Sequence, residues 1–264
     1  MKILFVGDVV GKIGRQAVAE ILPKLREQYQ IDLVILNAEN SAHGAGITSR
    51  TINALRQSGA DFFTSGNHVL SKPEAAELLT LAESVLIRPA NYPTDTPGAG
   101  YKLVEVGSRS VLIVNLLGQV FMKEEVANPF KTLDEILAKV DAKNLAGIIV
   151  DFHAEATSEK NAFGWYAAGR VSAVLGSHTH VATADARILD GMTAYVSDAG
   201  MVGARDSVIG DSREPIINSF LTGAPIKIDI PESGPAIFNS VLVEIDPVTR
   251  QAKSIERLDR TVEV

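Results

Sequence analysis

Short apolar runs alternate with longer amphipathic segments through the first two thirds of this sequence. The runs have the length and the Val, Ile, Leu and Phe content of buried strands. The predicted strands are Ile3–Val6, Leu33–Leu36, Phe62–Thr64, Val111–Leu116, Ile148–Phe152 and Val171–Leu175. The predicted helices are Arg15–Gln28, Thr48–Gln57, Lys72–Leu81 and Leu133–Lys139. Strands that alternate with helices in this way predict an α/β fold.

The pattern changes after Thr193, where strand-like runs follow one another with little helix between them. These runs are Thr193–Val196, Ile226–Ile230 and Ser240–Ile245, with one helical segment at Pro215–Leu221. We therefore expect mixed sheets within a single domain that spans residues 1–264. Pro89, Pro93 and Pro97 cluster in residues 89–100, which is typical of an ordered loop. We expect that loop to belong to a small lid over about residues 69–100.

The composition of the chain excludes several classes of function. The 264 residues carry a formal charge of −7 and no cysteine, so a metal site would need His, Asn and carboxylate ligands. An acidic chain without a basic run argues against a stable nucleic-acid complex. The longest stretch without a charged residue, Val171–Ala184, is too short for a membrane span. Gly7 and Asp8 interrupt the first apolar run before it could act as a signal peptide, so we expect a cytoplasmic protein.

Polar side chains collect immediately after the predicted strands. Residues 66–68, 151–153 and 176–180 carry four of the five histidines, and Asp8 and Glu39-Asn40 follow the first two strands. In open α/β sheets the carboxyl ends of strands form the ligand crevice, so these segments are expected to converge. Any one of these residues has an ordinary explanation as a cap or turn residue. Imidazoles, carboxylates and amide oxygens gathered at one edge favour a metal centre.

The order of these residues resembles the calcineurin-like metallophosphoesterases. Asp8, Glu39, Gly66-Asn67-His68, His153 and His178-Thr179-His180 match the five motifs of that superfamily in order and spacing. Longer segments, including GDVVGKIGR, NAENSAHGAGIT, DFHAEATSEK and GSHTHVATAD, narrow the resemblance to the YmdB-like family of bacterial 2′,3′-cyclic-nucleotide phosphodiesterases. The resemblance implies a two-sheet sandwich flanked by helices.

The resemblance also implies a centre of two metal ions bridged by Glu39. The implied ligands are Asp8, Glu39, Asn40 and His180 for one ion, and Glu39, Asn67, His153 and His178 for the other. Val10 stands where the superfamily commonly has a histidine, and Asn40 is the candidate replacement. Iron or manganese is expected, with zinc, cobalt, nickel or magnesium as alternatives.

The implied reaction is hydrolysis of a small phosphodiester, in first place a 2′,3′-cyclic nucleotide, by a hydroxide held between the two ions. His68 lies beside Asn67 but outside the ligand set, and an imidazole exchanges its proton near neutral pH. We therefore expect His68 to be the general acid that protonates the leaving oxygen. Its alternative role is packing against a ligand.

Several alternatives stay open at the level of sequence. The same centre could serve a phosphomonoesterase or a nuclease, or a regulatory or assembly factor that keeps the metals for structure. The chain could also form a homo-oligomer. His43 could contact substrate or make an ordinary loop hydrogen bond, and Asp198 could orient a ligand histidine or only end a strand. Thr157 and Ser158 are expected to cap a helix.

Overall fold

Fifteen strands and six helices form the regular secondary structure of residues 1–141, 144–225 and 229–264, the part of the chain that the computed structural model describes. The strands are β1 (Lys2–Val6), β2 (Asp8–Val9), β3 (Leu33–Asn37), β4 (Phe62–Thr64), β5 (Tyr101–Val106), β6 (Arg109–Leu117), β7 (Leu145–His153), β8 (Ala173–Ser177), β9 (Arg187–Leu189), β10 (Thr193–Val196), β11 (Met201–Ala204), β12 (Pro235–Phe238), β13 (Ser240–Ile245), β14 (Ala252–Arg257) and β15 (Arg260–Glu263). The helices are α1 (Gly11–Tyr29), α2 (Ser49–Gln57), α3 (Glu74–Thr80), α4 (Pro129–Lys139), α5 (Thr157–Ala167) and α6 (Arg213–Thr222).

The described strands form three sheets, one more than the sequence predicts. Their strand orders are β14-β13-β1-β3-β4, β5-β6-β7-β8-β10-β9 and β15-β12-β11-β2. The third sheet continues the first along the chain, because only Gly7 separates β1 from β2 and only Asn239 separates β12 from β13. At Gly7 the backbone comes so close to the carbonyl of Gly200 that an added Cβ would lie 2.0 Å from its oxygen. Each of the three sheets contains both parallel and antiparallel pairs, which confirms the expectation of mixed sheets.

Alternate residues of the central strands serve two different cores. In β1, Ile3 and Phe5 pack in a core between the first and second sheets, whereas Leu4 and Val6 pack in a core that includes α1 and α2. The opposite face of the second sheet packs on α4 and α5. The layers therefore run helix, sheet, sheet, helix, which confirms the predicted sandwich flanked by helices. Because other layers cover both faces of these strands, the strands appear as continuous apolar runs in the sequence.

The parallel strands fix where polar chemistry can collect. β1, β3 and β4 are mutually parallel neighbours in the first sheet, and β6, β7 and β8 are parallel neighbours in the second. The carboxyl ends of each set therefore lie at a common edge of their sheet. Residues that follow these strands meet across the sandwich at this edge.

The segment expected to form a lid, residues 69–100, packs on the fold and hydrogen-bonds to it. Val69 and Leu79 are buried in the core beside α1. Further on, Ala90 donates its amide to the carbonyl of Asn115 on β6, and the amide of Asn115 donates to the carbonyl of Gly100. The segment is thus ordered, and its role as a lid stays a prediction.

Some local expectations differ from the structure. α5 begins after Ala156 without a side-chain cap, so capping by Thr157 and Ser158 is wrong. Residues 226–228 of the predicted strand Ile226–Ile230 lie outside the described residues, and Asp229 and Ile230 have no regular secondary structure. Among the described residues, none of the helices has the length and apolar character needed to cross a membrane.

Candidate metal centre

All of the predicted site residues lie at the strand ends just described. Asp8 begins β2, Glu39 and Asn40 follow β3, and Asn67 and His68 follow β4. From the second sheet, His153 is the last residue of β7, and His178 and His180 follow β8. Among the predicted ligands, the first and third sheets therefore contribute the carboxylates and amides, and the second sheet contributes the imidazoles.

Four of these side chains form one cluster around His153 Nε2. Glu39, His153 and His178 each offer a ligand atom, and these atoms all lie within 4.8 Å of one another. His153 Nε2 lies 3.0 Å from Glu39 Oε1, 3.1 Å from His178 Nδ1 and 3.2 Å from Asn67 Oδ1. The structure thus brings together the four side chains that the resemblance implies for one ion.

The remaining predicted ligands lie around this cluster but are less closely grouped. Asp8 Oδ1 is 3.8 Å from His153 Nδ1, and the ring of His180 lies with Nδ1 2.7 Å from the carbonyl oxygen of Ile209. Asp8 Oδ1 and Asn40 Oδ1 are both buried without a hydrogen-bond partner within the described part of the chain. A buried oxygen without a partner is unfavourable unless another group neutralises it. A bound cation would neutralise both oxygens.

Without metal, the carboxylates and imidazoles of the centre strongly affect one another's pKa values. Burial alone would raise the pKa of Glu39, but the neighbouring His153 and His68 together outweigh burial and bring the pKa to about 2. Burial alone would lower the pKa of His153, but Glu39 and then Asp8 raise it to about 9. Burial and the charge of His153 lower the pKa of His178 to about 3, and burial raises the pKa of Asp8. At neutral pH the fold without metal therefore holds an ion pair between His153 and Glu39.

Gly66 leaves the space in which these groups meet. A Cβ at this position would lie 2.2 Å from His153 Nε2 and 2.5 Å from Glu39 Oε2. Both distances are far below van der Waals contact, so any side chain would displace the two predicted ligands. Position 66 of the Gly66-Asn67-His68 block therefore requires a glycine, because the centre has no room for a side chain there.

Further groups that the sequence argument did not single out hold the imidazoles. Ser177 Oγ lies 2.9 Å from His153 Nδ1 and donates to Asp151 Oδ1, and burial raises the pKa of Asp151 to about 7. Glu155 Oε2 lies 3.1 Å from His178 Nε2. A carboxylate or hydroxyl on the outer nitrogen fixes which nitrogen of a histidine faces a metal. Asp151 could have been found from its position two residues before His153, because such residues share one face of a strand.

A cleft of about 360 Å³ opens onto the centre. Its lining includes Glu39, Asn40, His43, His68, Glu155, His178, Thr179, His180, Ile209 and Asp211. The main-chain amide of His68 donates to Glu39 Oε2 at 2.9 Å, and His68 is among the residues that line the cleft. His43 also lines the cleft, so a contact with substrate stays open for it. Asp198 does not line the cleft but accepts hydrogen bonds from Thr179, between the two predicted histidine ligands.

The helix-flanked sandwich, with imidazole, carboxylate and amide groups at its strand ends, defines a metallophosphoesterase-like protein. A family model described as "YmdB-like protein" matches residues 4–258. The chain belongs to this family, which confirms the resemblance, and it is a phosphoesterase.

Named relatives agree with this assignment. The chain is 45% identical over 258 residues to a 2′,3′-cyclic-nucleotide 2′-phosphodiesterase from Bacillus subtilis, covering 98% of this chain and 96% of the relative. A crystal structure described as a novel phosphatase from Mycoplasma pneumoniae superposes with a TM-score of 0.92 at 37% identity, covering 100% of this chain and 94% of that one. A hypothetical protein from Thermus thermophilus superposes with a TM-score of 0.91 at 39% identity, covering 99% of both chains.

Proposed function

We propose that this protein hydrolyses 2′,3′-cyclic nucleotides with the help of two bound metal ions. The observation that carries the proposal is the convergence of Glu39, Asn67, His153 and His178 on one point at the cleft. The relative from Bacillus subtilis, whose name states that activity, supports the choice of substrate.

The residues that would hold the ions fit that task. Glu39, Asn67, His153 and His178 would hold one ion, and Asp8, Glu39, Asn40 and His180 would hold the other. Such a mixture of imidazole, carboxylate and amide ligands accepts iron, manganese and zinc alike, so availability selects the metal. Ions bound there would supply Lewis-acid polarisation of the phosphoryl oxygens and would activate a water molecule.

His68 would act on the leaving group. Its amide donates to Glu39 Oε2 and the residue lines the cleft, so the position of His68 is tied to the residue proposed to bridge the ions. The imidazole is not among the residues proposed as ligands and can therefore carry a proton. We infer that His68 donates this proton to the departing sugar oxygen, which is the role of a general acid.

The cleft and the net charge favour a small substrate. A volume of about 360 Å³ lies within the usual range for small-molecule sites. The chain carries a net charge of −7, so a long polyanion would be repelled outside the immediate centre. A cyclic mononucleotide needs to place only one phosphate at the ions.

The proposal is tested by a comparison of kcat/KM for 2′,3′-cAMP, 2′,3′-cGMP, 3′,5′-cAMP, a 3′-mononucleotide and a single-stranded RNA. The protein is first stripped of metal and then supplied with Mn²⁺ or Fe²⁺, and the stripped protein is the control. We expect the 2′,3′-cyclic nucleotides to be turned over fastest and the stripped protein to be inactive. Faster turnover of RNA or of the mononucleotide would instead identify a nuclease or a phosphomonoesterase.

A further inference from the structure

A buried ion pair lies beneath the loop that carries His178 and His180. Lys160 on α5 and Asp198, two residues after β10, are each 1% exposed, and Lys160 Nζ lies 2.6 Å from Asp198 Oδ2. Burying both charges carries a large desolvation cost, and well-packed apolar residues often serve stability equally well in such positions. Neither residue lines the cleft or takes part in the proposed reaction. The pair therefore needs another explanation.

Each member of the pair binds the main chain on one side of His178. Lys160 Nζ donates to the carbonyl oxygen of Ser177 at 2.8 Å. Asp198 Oδ2 accepts from the amide and the hydroxyl of Thr179 at 3.1 and 2.8 Å. Its other oxygen, Oδ1, accepts from the amide of Gly200 at 2.8 Å. The pair thus ties residues 177 and 179 to each other through two side chains.

The backbone between and beyond these two anchors is in an unfavourable conformation. His178 has a φ of 101° and His180 a φ of 64°, both in the region that residues other than glycine rarely adopt. Such conformations persist only where the surrounding structure holds them, and they cluster at functional sites. The amide of His178 also donates to Asp8 Oδ2 at 3.1 Å, so the strained loop connects the end of the second sheet to β2 of the third sheet.

We propose that Lys160 and Asp198 are positioning residues, which hold the loop of residues 177–180 in the strained conformation that presents His178 and His180 to the metal ions. This inference rests on the proposed function, because that proposal makes the two histidines ligands. If the pair is lost, the loop relaxes and the imidazoles leave the positions in which they can bind an ion. Metal affinity should then fall by more than any loss of fold stability explains.

Three variants separate positioning from simple stability. Lys160→Met removes the donor to Ser177 and leaves Asp198 unpaired. The double variant Lys160→Met/Asp198→Asn leaves no unpaired buried charge, yet it still lacks the donor to Ser177. Leu133→Ala, which creates a cavity under α4 where Leu133 is 0% exposed, is the control for general destabilisation because the side chain of Leu133 takes part in none of the hydrogen bonds and ion pairs that hold the loop and the predicted ligands.

Two measurements on each full-length protein serve as the readouts. The first is Mn²⁺ affinity, measured by electron paramagnetic resonance of free Mn²⁺, with thermal unfolding measured in parallel. The second is amide hydrogen exchange of residues 177–183 in protein stripped of metal, which reports on the loop without any ion.

We expect Lys160→Met to weaken Mn²⁺ binding by about 10- to 100-fold, the usual effect of losing a group that orients a ligand, and to speed exchange in the loop. The double variant should regain much of the lost unfolding temperature but keep the weak Mn²⁺ binding and the fast exchange. If Lys160→Met does not fold, the double variant alone provides the test. Leu133→Ala should lower the unfolding temperature and leave Mn²⁺ affinity and loop exchange close to wild type.

Two outcomes would contradict this inference alone, and a third would contradict the proposed function as well. Wild-type Mn²⁺ affinity in the double variant would overturn it, as would an equal loss of affinity in Leu133→Ala. A wild-type protein that binds no Mn²⁺ would overturn the proposed function together with this inference. The failures of the two proposals can therefore be told apart.

Discussion

Glu39 is the residue on which the proposed centre depends most. It is 1% exposed, and its two oxygens face different partners, with Oε1 at His153 and Oε2 at the amide of His68. A bridging carboxylate is a ligand of both ions, so its removal should affect both. We expect Glu39→Ala to retain fewer than one of the two ions per chain, measured by elemental analysis after gel filtration. Asp211→Asn, which changes a carboxylate of the same cleft, should retain both, and full occupancy in Glu39→Ala would rule out bridging.

His68 provides a test of the proposed proton transfer. Replacing it with alanine should lower kcat for a 2′,3′-cyclic nucleotide by about 100-fold, the usual size of a general-acid contribution, while the metal content stays at the wild-type level. A p-nitrophenyl phosphodiester should be affected far less, because p-nitrophenolate leaves without protonation. An equal loss with both substrates would instead mean that His68 positions the phosphate.

The sequence could predict the groups at the centre, but among the groups that hold them it suggested only Asp198, as one of two alternatives. Glu39, His153 and His178 are recognisable because carboxylate and imidazole side chains at strand ends have few structural uses in common. Lys160 gives no such signal, since lysine is almost never fully buried and its partner Asp198 lies 38 residues away. The role of Glu155 depends on where the ring of His178 points, which a strained backbone decides and a sequence pattern does not.

At the scale of elements, burial decides which strands the sequence reveals. β3, β6 and β7 are covered on both faces over most of their length, so they appear as apolar runs and are predicted within a few residues of their bounds. β14 and β15 are partly exposed and carry charged residues, and β2 has only two residues. Such strands form because they pair with strands elsewhere in the chain. The sequence near them therefore contains too little signal to predict them.

The end of α1 offers a prediction about stability. Gln30 follows the helix with a φ of 53°, a left-handed conformation that glycine adopts without strain. Gln30→Gly should therefore raise the free energy of unfolding by about 0.5–1 kcal/mol. The matched control is Gln28→Gly within the same helix, which should lower it by about 0.5–1 kcal/mol. Urea unfolding of both variants measures the difference, and destabilisation by Gln30→Gly would contradict the argument.

At the scale of the whole molecule, the proposed centre joins the two sheets of the sandwich. Glu39 and Asn67 come from the first sheet, and His153 and His178 come from the second. Without metal, the ion pair between Glu39 and His153 makes this connection. With metal, shared coordination would replace the ion pair, because a histidine must be neutral to bind an ion. Metal binding and protonation of His153 therefore compete for the same connection.

This competition predicts how the stabilisation by metal depends on pH. The pKa of His153 is about 9 in the fold without metal, against an ordinary value of 6.5. Its contribution to the stability of that fold is therefore fully present below about pH 6.5 and is lost as the pH rises to about 9. The same linkage, described for the metal, is that below pH 9 Mn²⁺ must displace this proton, at a cost of about 1.4 kcal/mol for each pH unit. The metal is therefore more stabilising at higher pH.

We therefore expect the difference in unfolding temperature between protein with Mn²⁺ and protein with EDTA to widen steadily from about pH 6.5 to about pH 9. Burial raises the pKa of Asp151 to about 7, and any proton that nearby ions expel from it adds to the same trend. Differential scanning calorimetry at constant free Mn²⁺ measures the difference, and isothermal titration in two buffers of unlike ionisation enthalpy counts the protons released, expected to be about one per chain at pH 7.5. A difference that narrows with rising pH, or Mn²⁺ binding without proton release, would show that His153 is not the group that the metal deprotonates.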